Sequence, residues 1–233
     1  WGWSSLPTLA CFVIAVAALR LFVTIERRTA APLVMLHWFR TRNFAFPMLS
    51  QMLTNFAYMG GFILIPQVLG QRGLGLSDAT KGYLVISRPL AFSLIAPLAA
   101  LATMRVGERV AGVVGALGVV LSMVLWATVG LDSSYAFIVL ATACSGIGLG
   151  IASPALTSLM ANSVDEADLG VAGAMQQLMT QLGAVMGSAV LATVSVTATP
   201  TNLAPFHLAF VVGAVVATGG CVAATFVRST PRT

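Results

Sequence analysis

Charge is what this sequence has least of. Lys, Arg, Asp and Glu make up 8% of its 233 residues, and hydrophobic residues make up 58%. Soluble domains carry about a quarter of their residues as charge, so a soluble globule is excluded. Acids are scarcer than bases, seven Asp and Glu against twelve Lys and Arg, and no Asp or Glu falls inside a long apolar run. Cysteine is scarce too. Cys11, Cys144 and Cys221 lie in apolar runs without metal-ligand spacing and read as small hydrophobes. The apolar runs hold no nucleophile with a base, no paired acids and no His/Asp/Glu metal set. That excludes an intramembrane enzyme and leaves no catalytic residue and no metal site to name. No phosphate-binding Gly-rich loop with Lys occurs, which excludes an attached ATPase, and nothing calls for a cofactor. The net charge of +5 does not imply a nucleic-acid partner, because most basic residues sit in short loops between apolar runs. The ten methionines are scattered and read as core filler, not a metal path. No signal peptide is visible. The chain opens on Trp1 instead of Met, so it reads as a piece of something longer.

What is present is a series of seven apolar runs. Crossing a bilayer takes roughly 20 residues of helix at about 1.5 Å each. The runs are Ser5 to Ile25, Phe44 to Leu69, Ala79 to Met104, Val110 to Val129, Tyr135 to Ala161, Leu169 to Ser195 and Phe206 to Val227. They predict an all-α membrane protein with seven transmembrane helices. The first run carries Arg20 near its end, placed to snorkel. Between the first two runs, Ala31 to Phe44 is too charged to span and suits an amphipathic segment lying in the interface. Ser77 is a predicted N-cap for the third helix.

Seven spans put alternate loops on opposite sides. Arg27, Arg28, Arg40, Arg42, Arg105, Arg109, Arg228 and Arg232 fall on one side, and Arg72 and Lys81 on the other. By the positive-inside rule the C-terminus is cytoplasmic. Asp165, Glu166 and Asp168 lie in a loop on the basic side, read as solvated with Arg105 or Arg109 in reach.

The polar residues inside the spans are the candidates for function. Gln51, Asn55 and Tyr58 recur at i, i+4, i+7 and share one helical face. Gln177 and Gln181 lie on the sixth span, beside Gln176 and Thr180. These amides either line a cavity or hydrogen-bond between helices as packing contacts. Arg88 lies near the middle of the third span, where an arginine costs roughly 2.5 to 3.5 kcal/mol to insert. It reads either as a cavity-facing charge or as a structural arginine satisfied by its own domain. Gly146, Gly150, Gly183 and Gly187 have the small-xxx-small spacing that lets helix backbones approach, and Pro154 interrupts the fifth span. His37 and His207 fall near interfaces, where a solvated ring is expected.

Three stretches resemble the fourteen-helix drug:proton antiporters of the major facilitator superfamily, the EmrB/QacA type, in their C-terminal half. They are Phe22 to Phe44, Pro66 to Leu84 and, most specifically, Ala152 to Gly187. The resemblance implies that residues 1–43 hold a linker helix and an amphipathic cytoplasmic segment, and that residues 44–233 are a six-helix transporter domain. It implies a cavity between two pseudo-symmetric halves, alternating access, and proton-driven export of amphipathic or cationic small molecules. On this reading the partners are the plasma-membrane bilayer, the N-terminal half, substrate and protons. The superfamily's loop pattern G-x-L-a-D-R-x-G-r-R is matched at Arg105, Gly107 and Arg109, but its acid is replaced by Met104 and its first glycine by Ala100. Proton antiport needs a titratable group at membrane depth, so the carrier is expected in the other half, and Arg88 is expected to lack an acid in this chain. The alternative is a non-transporting scaffold or a permease subunit of a larger complex.

Overall fold

The computed structural model describes residues 5–26, 36–70, 76–130, 132–198 and 202–227. Arg27, Arg28, Arg72, Arg228 and Arg232, the first part of the interface segment and the end of the tail lie outside these residues. The described residues form seven helices long and apolar enough to cross a membrane. They are α1 Leu6–Glu26, α2 Arg42–Leu69, α3 Asp78–Val106, α4 Glu108–Trp126, α5 Tyr135–Ala161, α6 Leu169–Ser195 and α7 Ala204–Thr225. The protein is therefore an all-α, multi-pass membrane protein, as its hydropathy predicts. The chain divides into two compact units, Trp1–His37 and Trp38–Thr233.

The first unit is built around α1. Its long side chains, among them Val13, Ile14 and Leu21, are exposed all round. A helix that is apolar on every side is suited to lipid.

In the second unit, helix ends fall where local chemistry stops them. Ser77 caps α3 as expected, its Oγ accepting from the Thr80 amide at 3.2 Å. Ser134 caps α5 in the same way. The helix α3 runs past Met104 to Val106 and stops at Gly107, whose φ is +88°. Glu108 already opens α4. The elbow between α3 and α4 is thus one residue long, and its backbone angle favours glycine. The helix α4 ends at Trp126, three residues short of the predicted Val129, because 127–129 turn back through bonds such as Thr128 N–H to the Leu125 carbonyl. Pro47, Pro66, Pro89, Pro97 and Pro154 all lie within helices that continue through them. Trp38 is buried against Phe44, with ring centroids 5.1 Å apart.

Four helices stand in a row, α6 on α2, α2 on α5, and α5 on α3. Behind them α7 packs on α2 and α4 packs on α5, and α4 and α7 pack on each other. The apolar core lies between these layers, around Leu64, Val119, Met123, Trp126, Ile138 and Phe210. Trp126 stacks on Phe210 at 5.4 Å between centroids. The end helices of the row, α3 and α6, are the least buried of the unit.

Without a hydrophobic drive between helices in lipid, close backbone approach holds such a unit together. At Gly183 and Gly187 α6 lies directly on α2. A Cβ at Gly187 would sit 2.6 Å from the Phe56 carbonyl carbon, and one at Gly183 would sit 2.9 Å from that of Met52. Gly146 and Gly150 do the same for α5 on α3, facing Arg88, Ala91 and Phe92. Gly115, Gly118 and Gly148 bring α4 against α5; a Cβ at Gly148 would lie 2.6 Å from the Val119 nitrogen. The four-residue spacing does not pick out this last set, because Gly115 and Gly118 are three residues apart and Gly148 lies on the facing helix.

Candidate functional site

The polar residues of the spans fall into an inner group and an outer one. Arg88 belongs to the inner group and is 1% exposed. It points toward α2, where one Nη donates to the Tyr58 backbone carbonyl. The guanidinium carbon lies 3.6 Å from the Tyr58 ring centroid and 5.8 Å from that of Phe62. A desolvated cation over an aromatic face gains about 2 kcal/mol. Its Nε and other Nη have no hydrogen-bond partner, and no carboxylate of the described residues pairs with it. Sequence reading placed Arg88 and Tyr58 side by side as cavity candidates. The structure joins them to each other, α3 to α2, inside the bundle.

The seam continues down α2. Tyr58, Asn55 and Gln51 are all buried, at 9%, 3% and 4% exposure. Asn55 donates back to the Gln51 carbonyl at 3.1 Å. Gln51 donates to Ser153 Oγ of α5 at 3.5 Å, one residue before Pro154. Its own Oε1, with the Ser50 and Thr54 hydroxyls, is buried without a partner. Buried polar groups without partners cost free energy. Their clustering along one side of α2 makes this the most polar part of the interior.

The outer group is on α6. Gln176 donates to Thr157 Oγ1 of α5 at 2.5 Å. Gln177 and Gln181 are exposed and make no hydrogen bond among the described residues. The two amide sets therefore do not meet on a single surface. One is buried between α2 and α5, and the other is on the open side of α6.

At the loop end, Gly107 is the elbow itself, and Arg105 and Arg109 flank it exposed. No ion pair among the described residues joins either to Asp165, Glu166 or Asp168. Sequence reading passed over Glu108. It is 5% exposed at the start of α4, and its Oε1 accepts from Ser158 Oγ of α5 at 3.5 Å. A glutamate in the position where the loop pattern has a basic residue was the available signal. His207 bonds the Val129 carbonyl through Nε2 at 2.8 Å, tying α7 to the turn after α4. No group of three or more His, Cys, Asp and Glu able to hold a metal ion occurs among the described residues.

A profile of the Major Facilitator Superfamily matches residues 1–188 and, in a second overlapping placement, 47–233. The chain is 30% identical over 193 residues to the tetracenomycin C resistance and export protein of Streptomyces glaucescens, covering 82% of this chain and 35% of that protein. It is 25% identical over 193 residues to the multidrug resistance protein Stp of Mycobacterium tuberculosis, covering 83% of this chain and 36% of that protein. It is 26% identical over 194 residues to the multidrug efflux pump LfrA of Mycolicibacterium smegmatis, covering 82% and 38%. The chain thus spans little more than a third of the length of these curated relatives. Seven bilayer-length helices, six of them glycine-packed around a polar seam, agree with the profile that spans them: the chain belongs to the major facilitator superfamily.

Proposed function

We propose that this chain is the C-terminal half of a secondary carrier in the bacterial plasma membrane. The carrier exports amphipathic small molecules by alternating access, in exchange for protons. One observation carries the reading. The open side of α6 has two distinct stripes, one apolar and suited to lipid, the other bearing Gln177 and Gln181. Amides facing hydrocarbon are expensive, so the second stripe fits a wall closed by protein and a wet cavity. The named roles of the relatives in resistance and export, and their greater length, support the same reading.

In this assignment α1 is a linker helix, and residues 44–233 form the six-helix domain with a cytoplasmic C-terminus. The inner seam of Gln51, Asn55, Tyr58 and Arg88 fixes the wall from behind, with Arg88 holding α3 on α2. Gly146, Gly150, Gly183 and Gly187 set the spacing of the row. The other half brings the titratable acid for proton coupling, since these spans hold none at depth.

The test uses the complete reading frame that contains this chain, in everted membrane vesicles under an imposed pH gradient. A panel of amphipathic compounds is offered. Uptake that depends on the gradient, and stops when a protonophore is added, is the expected result. A panel that yields no gradient-dependent flux would leave the scaffold or subunit reading in its place.

A further inference from the structure

We infer that the interior of the second unit binds a water molecule, which bridges Ser50 Oγ and Thr54 Oγ1 of α2 beside Gly220 of α7. The site lies wholly within this unit and does not depend on what faces the row of helices.

A hydroxyl buried in a helix has a ready partner, because it can donate back to a carbonyl three or four residues earlier. Thr103, Thr142, Ser145 and Ser195 all do so, at 2.7–3.0 Å. Ser122 of α4 donates across to the Ala141 carbonyl of α5 at 2.6 Å. Ser50 and Thr54 are the exceptions among the buried serines and threonines of the described residues. Both are 0% exposed, and neither hydroxyl has a hydrogen-bond partner there. Leaving a buried hydroxyl unpaired costs free energy. The pair of them, one turn apart on one face of α2, fits a shared ligand. Residues at i and i+4 stand about 5–6 Å apart on a helix. That is about twice an O–H···O bond of roughly 2.8 Å. One small molecule between the two hydroxyls can bond both.

The helix α7 leaves the place for it. A Cβ at Gly220 would lie 2.9 Å from Thr54 Oγ1 and 3.2 Å from the Ser50 carbonyl oxygen. Both oxygens thus converge on a point where α7 has no side chain. The carbonyl takes the helix bond from the Thr54 amide with one lone pair and keeps the second. It completes a set of three partners, the usual number for a buried water. The water donates to the carbonyl and to one hydroxyl and accepts from the other. All three partners are neutral oxygens, so an ion's charge would be left uncompensated and a water's would not. Leu53 Cβ would lie 3.3 Å from the same Cβ and closes the place to anything larger. Water held here lets α2 carry two hydroxyls against close-packed α7 without orphaning either.

The test is an experimental structure of the complete protein that contains this chain, at a resolution that shows ordered waters. A discrete peak about 2.6–3.0 Å from both hydroxyls is expected. Absence of that peak, or hydroxyls turned onto carbonyls of their own helix, would overturn the inference. Stability gives an independent readout whose sign differs between a wet site and a dry one. The double substitution Ser50→Ala with Thr54→Val is made in the same protein and followed by unfolding in SDS. With water bound, the variant loses its bonds and keeps a water-sized void. The unfolding constant is then expected to rise about fivefold or more. In a dry site the same change removes two orphaned hydroxyls, and the constant stays level or falls. A level or lowered constant therefore counts against the water as firmly as a missing peak. Should the variant not fold, the wild-type peak alone decides.

Discussion

The Arg88–Tyr58 contact makes a quantitative prediction about what holds α3 on α2. The cation lies 3.6 Å from the ring centroid in a fully buried site, which is worth about 2 kcal/mol. Its hydrogen bond goes to a backbone carbonyl, worth about 1.5 to 3 kcal/mol for a charged donor. Together these roughly offset the 2.5 to 3.5 kcal/mol insertion cost of the arginine. Arg88→Met should therefore be close to neutral, within about 1.5 kcal/mol. Tyr58→Leu removes the ring and leaves the carbonyl, so it should destabilise by about 2 kcal/mol on top of its packing term. In the Arg88→Met background the same change should cost only its packing term. Reversible unfolding of the chain in mixed micelles with increasing SDS, followed by tryptophan fluorescence, gives the four free energies of the cycle. The reasoning predicts a coupling of about 2 kcal/mol. Tyr58→Phe, which keeps both ring and carbonyl, should change little. If Tyr58→Leu costs the same with and without Arg88, or Tyr58→Phe costs as much, the cation–ring contact does not join these helices.

Gly187→Ala should destabilise by about 1–3 kcal/mol in the same assay, because its Cβ would lie 2.6 Å from the Phe56 carbonyl carbon and α6 would have to move off α2. Gly173→Ala has nothing within 4 Å to meet and should stabilise by up to about 1 kcal/mol through helix propensity; a loss at Gly173 equal to that at Gly187 would rule out the packing account. Gly107→Ala also meets no atom within 4 Å, yet its φ of +88° should cost about 1–2 kcal/mol in backbone strain alone, read as a lower melting temperature. Cys11 is exposed and Cys221 buried, so a lipid-soluble maleimide should label the first and spare the second until SDS is added.

The helices were legible because lipid solubility imposes one demand, an apolar run of sufficient length, and that demand is written along the chain. The Ser77 cap and the glycine spacing on α6 were legible because each is a contact between near neighbours or a repeat on one face. Contacts between helices far apart in sequence were not. Gln51 and Gln177 look alike as amides in apolar runs, but burial depends on which neighbour each helix turns toward, and only the packed row separates them. Arg88 and Tyr58 are thirty residues apart; periodicity could put each on a face but could not aim one face at the other. Gly115 and Gly148 went unnoticed for the opposite reason, since glycine is so common here, twenty-two residues, that spacing alone does not pick out the pairs that touch.

The single-residue joint at Gly107 has a mechanical corollary. With no intervening loop to take up slack, whatever tilts α3 drags the start of α4 along with it, and the buried Glu108 passes that pull on to α5 through Ser158. Three helices are thus yoked at one rim of the bundle.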